Sequence, residues 1–411
     1  MKKIILLISF LLLVTSCSKD VYSDYTETIE IKLINNLEIE RTDEFVTISK
    51  QKLIELKKDF NFDAFIVLDK KVDLASQINE ENISFVCDFK PKGTKTVLIK
   101  YAKEGSKKRN YKNRTYAELA MKTDYELIDN KYTGGSFENV TKITVPEIHT
   151  DHDALFKYEG PGWESEKIAY RFYLDWRNAT DIFGKKVDSL VLPIVGKYDI
   201  VAQNESYQKM QDWGMDIFKV GKSLGIGSIG MMTNNKVQMV NETDKIDFEI
   251  TQNGPIKSKL KTEYFGWKVG ESKFDLKTEL SITAGSRLTK CELDIFENPE
   301  NMVTGIVKHS DTELIHSDKN GKWNYLALYG KQTLSKDNLG LVIFYNSENF
   351  IKHSEDKINY IVEMKPANGK LQYYFAAAWE QEQNGIKNKK EFETYLKAEQ
   401  KKLNNPIEIK L

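Results

Sequence analysis

The sequence predicts an all-β protein, an antiparallel β-sandwich carrying a few helices. Three observations predict it. First, residues 247–250, 256–267, 273–283 and 287–296 form runs of alternating character joined by Asn253-Gly254-Pro255, Gly270 and Ala284-Gly285-Ser286. Neighbouring hairpins with no helix between them imply a broad antiparallel sheet. Second, residues 28–33, 45–48, 62–68, 83–89 and 94–100 are short β-branched or aromatic runs separated by turn residues, the spacing of a sandwich. Third, residues 167–177 alternate strictly after the turn Gly160-Pro161-Gly162.

The chain has 411 residues, enough for a large core. It opens with Met1-Lys2-Lys3, an apolar run over 4–14, and Thr15-Ser16-Cys17. A basic start, a short apolar stretch and small residues at its end describe an export signal; a membrane span needs about 20 apolar residues. Leu13-Val14-Thr15-Ser16-Cys17 has the form of a bacterial lipobox, which makes Cys17 the lipidated mature N-terminus. The expected location is therefore a membrane-anchored lipoprotein, periplasmic or cell-surface. The expected organisation is a signal over 1–16, an N-terminal β-sandwich over 17–106, a linker and helical segment over 107–136, and a large β domain over 137–411. With 60 basic and 61 acidic residues the net charge is -1, so no basic field points to nucleic acid. Cys87 and Cys291 lie in apolar alternating runs, where a thiol behaves as a small core residue. A disulfide between them stays open, since sequence does not establish pairing.

In chain order, residues 50–58 suit a short helix between strands, and the basic stretch KKRNYKNR over 107–114 suits a solvated linker. Residues 116–129 suggest a helix, ended by Gly134-Gly135, and 137–145 return to strand. His149, Asp151, His152 and Asp153 are a conceivable divalent metal site, but no other histidine lies close in sequence and acidic loops are common. No cofactor is expected. Met210, Trp213, Ile217, Val220 and Leu224 recur at helical spacing and predict a helix over 207–224, weakened by Gly214 and Gly221. Further strands fall at 305–308, 325–329, 339–345, 358–364 and 369–379, and an amphipathic helix at 389–403 buries Phe392, Tyr395 and Leu396.

The central stretch 159–186 organises the rest. If 167–177 is one strand, Ile168, Tyr170, Phe172, Leu174 and Trp176 share an apolar face fit for a core. Lys167, Ala169, Arg171, Tyr173, Asp175 and Arg177 share the other. Such a face is either a solvated exterior or the floor of a polar site. Arginines on a site floor have planar anions to bind, and Trp163 and Glu164 sit just upstream.

The segments GPGWESEKIAYRFYLDWRNATDIFGKK, DWGMDIFKVGKSLGIG and YYFAAAWEQEQNGI resemble a lipoprotein family of gut and marine Bacteroidetes known as a domain of unknown function. The resemblance covers essentially the whole mature chain. The hairpin series over 256–296 looks like the galactose mutarotase-like supersandwich shared by several polysaccharide lyases. Members of the family tend to be encoded with polysaccharide-degrading enzymes, and the chain is similar to an oligosaccharide dehydratase acting on uronic acids of ulvan-like glycans.

The resemblance implies that 137–411 is a carbohydrate-active supersandwich domain, a lyase or dehydratase that leaves an unsaturated uronic acid at the non-reducing end of acidic oligosaccharides. Such chemistry needs a cation at the carboxylate, a base for the C5 proton and an acid for the departing oxygen. Arg171 and Arg177 suit the first role, and Tyr173, Tyr170, His152 or His309 the acid and base. Trp163 and Trp213 suit stacking against a sugar, and Glu164, Asp175 and Asp212 suit hydroxyl binding or orienting the arginines. Two other readings stand beside it: a non-catalytic glycan-binding lipoprotein in which Arg171 and Asp175 form a structural ion pair, and a mutarotase-like epimerase.

Overall fold

Strand alternation becomes a nine-stranded antiparallel sheet in the order Lys142–Thr144, Lys245–Asn253, Lys257–Val269, Ser272–Thr283, Thr289–Ile295, Lys370–Trp379, Asn338–Asn346, Trp323–Lys331, Thr312–His316. The structure is a computed structural model that describes residues 22–196, 206–318 and 321–411. In the Lys257–Val269 strand, buried and half-buried positions alternate as the sequence does, with Ser258, Leu260, Thr262 and Tyr264 turned inward.

Two five-stranded sheets cover the inner face of the large one. One runs Gly214–Asp216, Thr180–Lys185, Ala169–Phe172, Gly162–Ser165, Thr115–Glu118. The other runs Lys236–Met239, Ile226–Thr233, Met302–Val307, Asn359–Met364, Phe350–Glu355. A single apolar core joins all three, from Trp163, Tyr170 and Ile182 through Ile306 and Val362 to Leu260, Tyr373 and Phe375. The protein is thus an antiparallel β-sandwich. A second core, with Ile31, Val46, Phe85 and Ile99, lies between the N-terminal sheets. The last strand, Glu408–Lys410, returns to pair with Glu27–Ile34. Arg114 ties the two bodies together, gripping Asp43 with both terminal nitrogens and Glu166 with Nε.

Two helices form among the described residues, Lys50–Leu56 and Lys389–Asn404. The second starts at Asn388, whose side chain accepts from the Glu391 amide, and lays Phe392 and Leu396 on the outer face of the large sheet. Two expected helices do not form. Residues 116–129 are strands, Thr115–Glu118, Ala120–Thr123 and Glu126–Ile128. Their loose apolar spacing served sheet pairing, with Ala117 against Trp163 and Met121 against Glu138. Over 207–224 the chain makes one turn at Ser206–Gln208, then the strand Gly214–Asp216. Gly214 (φ 134°) and Gly221 (φ 63°) adopt backbone angles that an α-helix excludes. Cys87 and Cys291 are both free and buried, in separate cores, and burial pushes each thiol up to about 12. Cys17 and the export signal lie outside the described residues.

Candidate functional site

Side chains directly opposite each other across paired strands share one face of the sheet. Register aligns Glu118, Gly162, Arg171 and Asp181 in one row, and Glu164, Ala169, Phe183 and Asp216 in the next. These rows form the face turned away from the apolar core. Gly162 leaves room there for the fully buried Tyr158, whose phenolic oxygen would lie 2.3 Å from a Cβ at that position. Tyr158 donates to Glu118 (2.8 Å), which also pairs with Lys157.

Arg171 is the hub of this face. Its Nη2 lies 2.6 Å from Asp216, 2.8 Å from Asp181 and 3.1 Å from the Tyr173 hydroxyl, its Nε 3.2 Å from Asp181, and its Nη1 3.4 Å from the Tyr207 hydroxyl. Tyr173 donates to Asp181 in turn. Burial opposes the guanidinium charge, but Asp216, Tyr173 and Asp181 outweigh it and hold the group well above its ordinary pKa. Burial first, and then Asp181 and Asp216, push the Tyr173 phenol far up, against the pull of Arg171.

Above this layer the strand ends. Residues 167–177 are not one strand: the ladder is Ala169–Phe172, and the chain turns over 175–178 before returning as Thr180–Lys185. The Asp175 carboxylate causes the turn by accepting from the Arg177 amide (2.9 Å) and Nε (3.0 Å), and Asn178 takes a φ of 44°. The Arg171–Asp175 ion pair of the glycan-binding alternative does not form, and Asp175 pairs with Arg177 instead. Alternation lapses at the turn, so Trp176, expected in the core, is 40% exposed. Arg177 sits 3.9 Å over the Tyr173 ring and bonds Glu159 (2.6 Å). Burial raises the Glu159 carboxyl, but Arg171 and Arg177 lower it further, to a net value below the usual range.

His152 stands at the mouth, its side chain 61% exposed. Its Nδ1 faces Asp151 (3.3 Å) and Glu159 (3.6 Å). The two carboxylates occupy the Nδ1 side of the ring, so Nε2 is the ring nitrogen turned away from them. His149 is separate and buried, with Nδ1 2.7 Å from Asp153. Among the described residues no group of three or more His, Cys, Asp or Glu side chains is arranged to hold a metal ion.

The structure thus brings together Arg171, Tyr173, Asp175, Arg177 and His152, and sets the other candidates apart. Trp163 is fully buried in the core with its indole bonded to Thr289, so it presents no face to a sugar. Tyr170 is likewise a core residue, bonded to Arg287 and Ala377 backbone. Glu164 is sealed in an ion pair with Lys185 (2.9 Å) and accepts from Val191 and Leu192 amides. Trp213 packs edge-on against Phe183, while Asp212 is exposed outside the cluster. His309 contacts Phe218 and Lys219, and burial lowers its pKa. Glu159, Asp181, Asp216 and Tyr207 complete the site without having been anticipated, and Asp151, considered in the sequence only as a metal ligand, joins them through His152 and Trp176. Asp181 had a signal, alternating with Phe183 and Lys185; Asp216 was hidden in the helix that does not form.

A domain of unknown function, DUF4861, matches residues 33–409. A prokaryotic membrane lipoprotein lipid attachment site matches residues 1–18, which makes the protein a membrane-anchored lipoprotein. No helix among the described residues is long and apolar enough to cross a membrane. An uncharacterized protein, P7, of Formosa agariphila is 23% identical over 440 residues and covers 100% of both chains. Among solved structures, a protein in glycosyl hydrolase family 38 from Enterococcus faecalis aligns at 10% identity and TM-score 0.48, covering 93% of this chain and 47% of its own. This chain thus spans about half the length of that protein. A candidate aldose 1-epimerase from Klebsiella pneumoniae aligns at 8% identity and TM-score 0.29, covering 59% of this chain and 84% of its own. At these scores neither likeness bears on activity or substrate.

Proposed function

The chain belongs to the family of unknown function DUF4861 and bears a lipoprotein attachment site, and on that premise we propose that it is an exported lyase or dehydratase acting on uronic-acid oligosaccharides. The observation that carries the reading is the pairing of a base and a cation at the mouth. Glu159 Oε1 holds Arg177 at 2.6 Å and faces His152 at 3.6 Å, so an imidazole and a guanidinium stand together above a buried network. Asp175 and Glu159 hold Arg177 by Nε and Nη2, which leaves Nη1 to meet the sugar carboxylate and the charge that develops on it. His152 Nε2 takes the C5 proton; the C4–O bond breaks as the C4=C5 double bond forms, and the same proton passes to the departing oxygen. Arg171 plays no part in contacting substrate on this reading. Its donors are taken up by Asp181, Asp216, Tyr173 and Tyr207, and it supports Tyr173 and hence Arg177.

The test is turnover of uronate oligosaccharides, followed by the ultraviolet absorbance of the conjugated unsaturated product. Removing an acid–base group lowers rates by about 10²–10⁴-fold, the loss expected for His152→Gln. Arg177→Met loses roughly one to two decades, the value of a charge-assisted hydrogen bond. Full activity in both folded variants removes the chemistry from this mouth. Saturable binding by the wild type with no product replaces the lyase with a glycan-binding lipoprotein, which the self-contained Arg171 network also supports.

A further inference from the structure

Of the six tryptophans, Trp163, Trp213, Trp267, Trp323 and Trp379 are buried, and Trp176 alone is exposed. An exposed indole is ordinary when it is loose, but this one is held. Its Nε1 donates to Asp151 Oδ1 (2.8 Å), and the other oxygen of the same carboxylate faces His152 Nδ1 (3.3 Å). Asp151 is itself fixed by the Thr150 hydroxyl (3.2 Å). Lys222 places its ammonium 6.0 Å from the indole centroid. The loops that carry these groups are strained: His152 (φ 59°), Ala154 (φ 64°), Glu159 (φ 71°) and Asn178 (φ 44°) all take left-handed backbone angles, uncommon outside glycine. Strain of this kind concentrates where a protein must hold a side chain in place for a ligand.

We infer that Trp176 is the platform on which a pyranose ring bearing a carboxylate docks, with Lys222 as the specificity residue for the acid. An indole offers a flat apolar face to the C–H side of a sugar ring, and its N–H, already satisfied by Asp151, needs no solvent. A ring seated there lies beside His152, because one carboxylate orients both side chains. Lys222 is exposed with its ammonium over the indole ring, and its long stem lets that ammonium meet the carboxylate of a sugar at the platform. Asp151 is a positioning residue: it fixes the plane of the indole and the orientation of the imidazole together. The inference rests on the uronate reading of the same mouth and names the subsite it uses.

Because Trp176 is the exposed indole, its fluorescence reports the platform directly. The probes are uronate oligosaccharides and the same oligosaccharides with their carboxyl groups reduced to alcohols. In wild type, the acidic probe shifts the emission saturably and binds more tightly than the reduced one. Trp176→Phe keeps most of the affinity by isothermal calorimetry, whereas Trp176→Ala loses about tenfold or more. Lys222→Met binds both probes equally. Unchanged calorimetric affinity in Trp176→Ala, equal affinity of wild type for both probes, or no saturable binding overturns the platform. The lyase reading fails separately: probe binding through Trp176 without unsaturated product leaves the platform standing, and product formation with an unchanged KM in Trp176→Ala leaves the lyase standing.

Discussion

Replacing Arg171 by methionine separates stability from chemistry at this site. Methionine keeps an apolar stem of similar length and removes the guanidinium. Asp181 and Asp216, both nearly inaccessible to solvent, then lose the cation 2.8 and 2.6 Å away. Breaking a buried pair by removing one partner costs about 3–5 kcal/mol, because an uncompensated charge stays behind. Two carboxylates are stranded here, so Arg171→Met belongs at the upper end. Arg171→Lys restores a charge but only one donor position in place of the fork that reaches Asp181, Asp216 and Tyr173, and falls between. Removing the stranded charges as well, in Arg171→Met/Asp181→Asn/Asp216→Asn, recovers much of the loss. The assay is urea unfolding followed by tryptophan fluorescence, with the slope checked for constancy across variants. A loss below about 1 kcal/mol for Arg171→Met at an unchanged slope refutes the hub, since that is the range of an exposed pair.

Three further outcomes follow from other parts of the molecule. Cys17→Ser releases the protein from the membrane fraction, because the acyl attachment point is gone; sedimentation with membranes after a high-salt wash contradicts anchoring at that residue. Gly162→Ala forces a methyl to 2.3 Å from the Tyr158 hydroxyl in a filled interior and destabilises by about 1–3 kcal/mol, read as a lower urea midpoint; an unchanged midpoint refutes the close approach. Burial, with Lys259 and Lys290 nearby, lowers the Lys257 pKa from 10.5 to about 8. Between those values the unfolded chain binds more protons than the folded one, so this group's penalty is fullest below pH 8 and fades as pH rises to 10.5. Lys257→Met therefore melts higher than wild type at pH 7 and converges with it by about pH 10.5; a gap that is constant across that range contradicts the assignment.

How much of this was legible in the sequence follows from what a period of two can encode. Leu260, Tyr264, Leu276, Leu293 and Ile295 declare an inner face because their strands are long and unbroken, and the core contains them all. Ala169–Phe172 is short, and its alternation survives only while the backbone stays extended. The signal for its end was present in Asp175 and Asn178, residues that bond their own backbone or accept left-handed angles. Reading through them carried Trp176 onto the core face and set Arg171 and Asp175 side by side on one strand face. Asp181 and Asp216 belong to other strands, and only register, set by the hairpin and by Gly214, brings their carboxylates to Arg171. A sequence states which residues alternate; it does not state across which strand they meet. The same turn that breaks the period also lifts the indole out of the core and sets it beside Asp151 and His152. The position where periodicity misleads is thus where a rigid strand hands over to a loop shaped by side-chain bonds, and that is also where an aromatic face is left for a ligand.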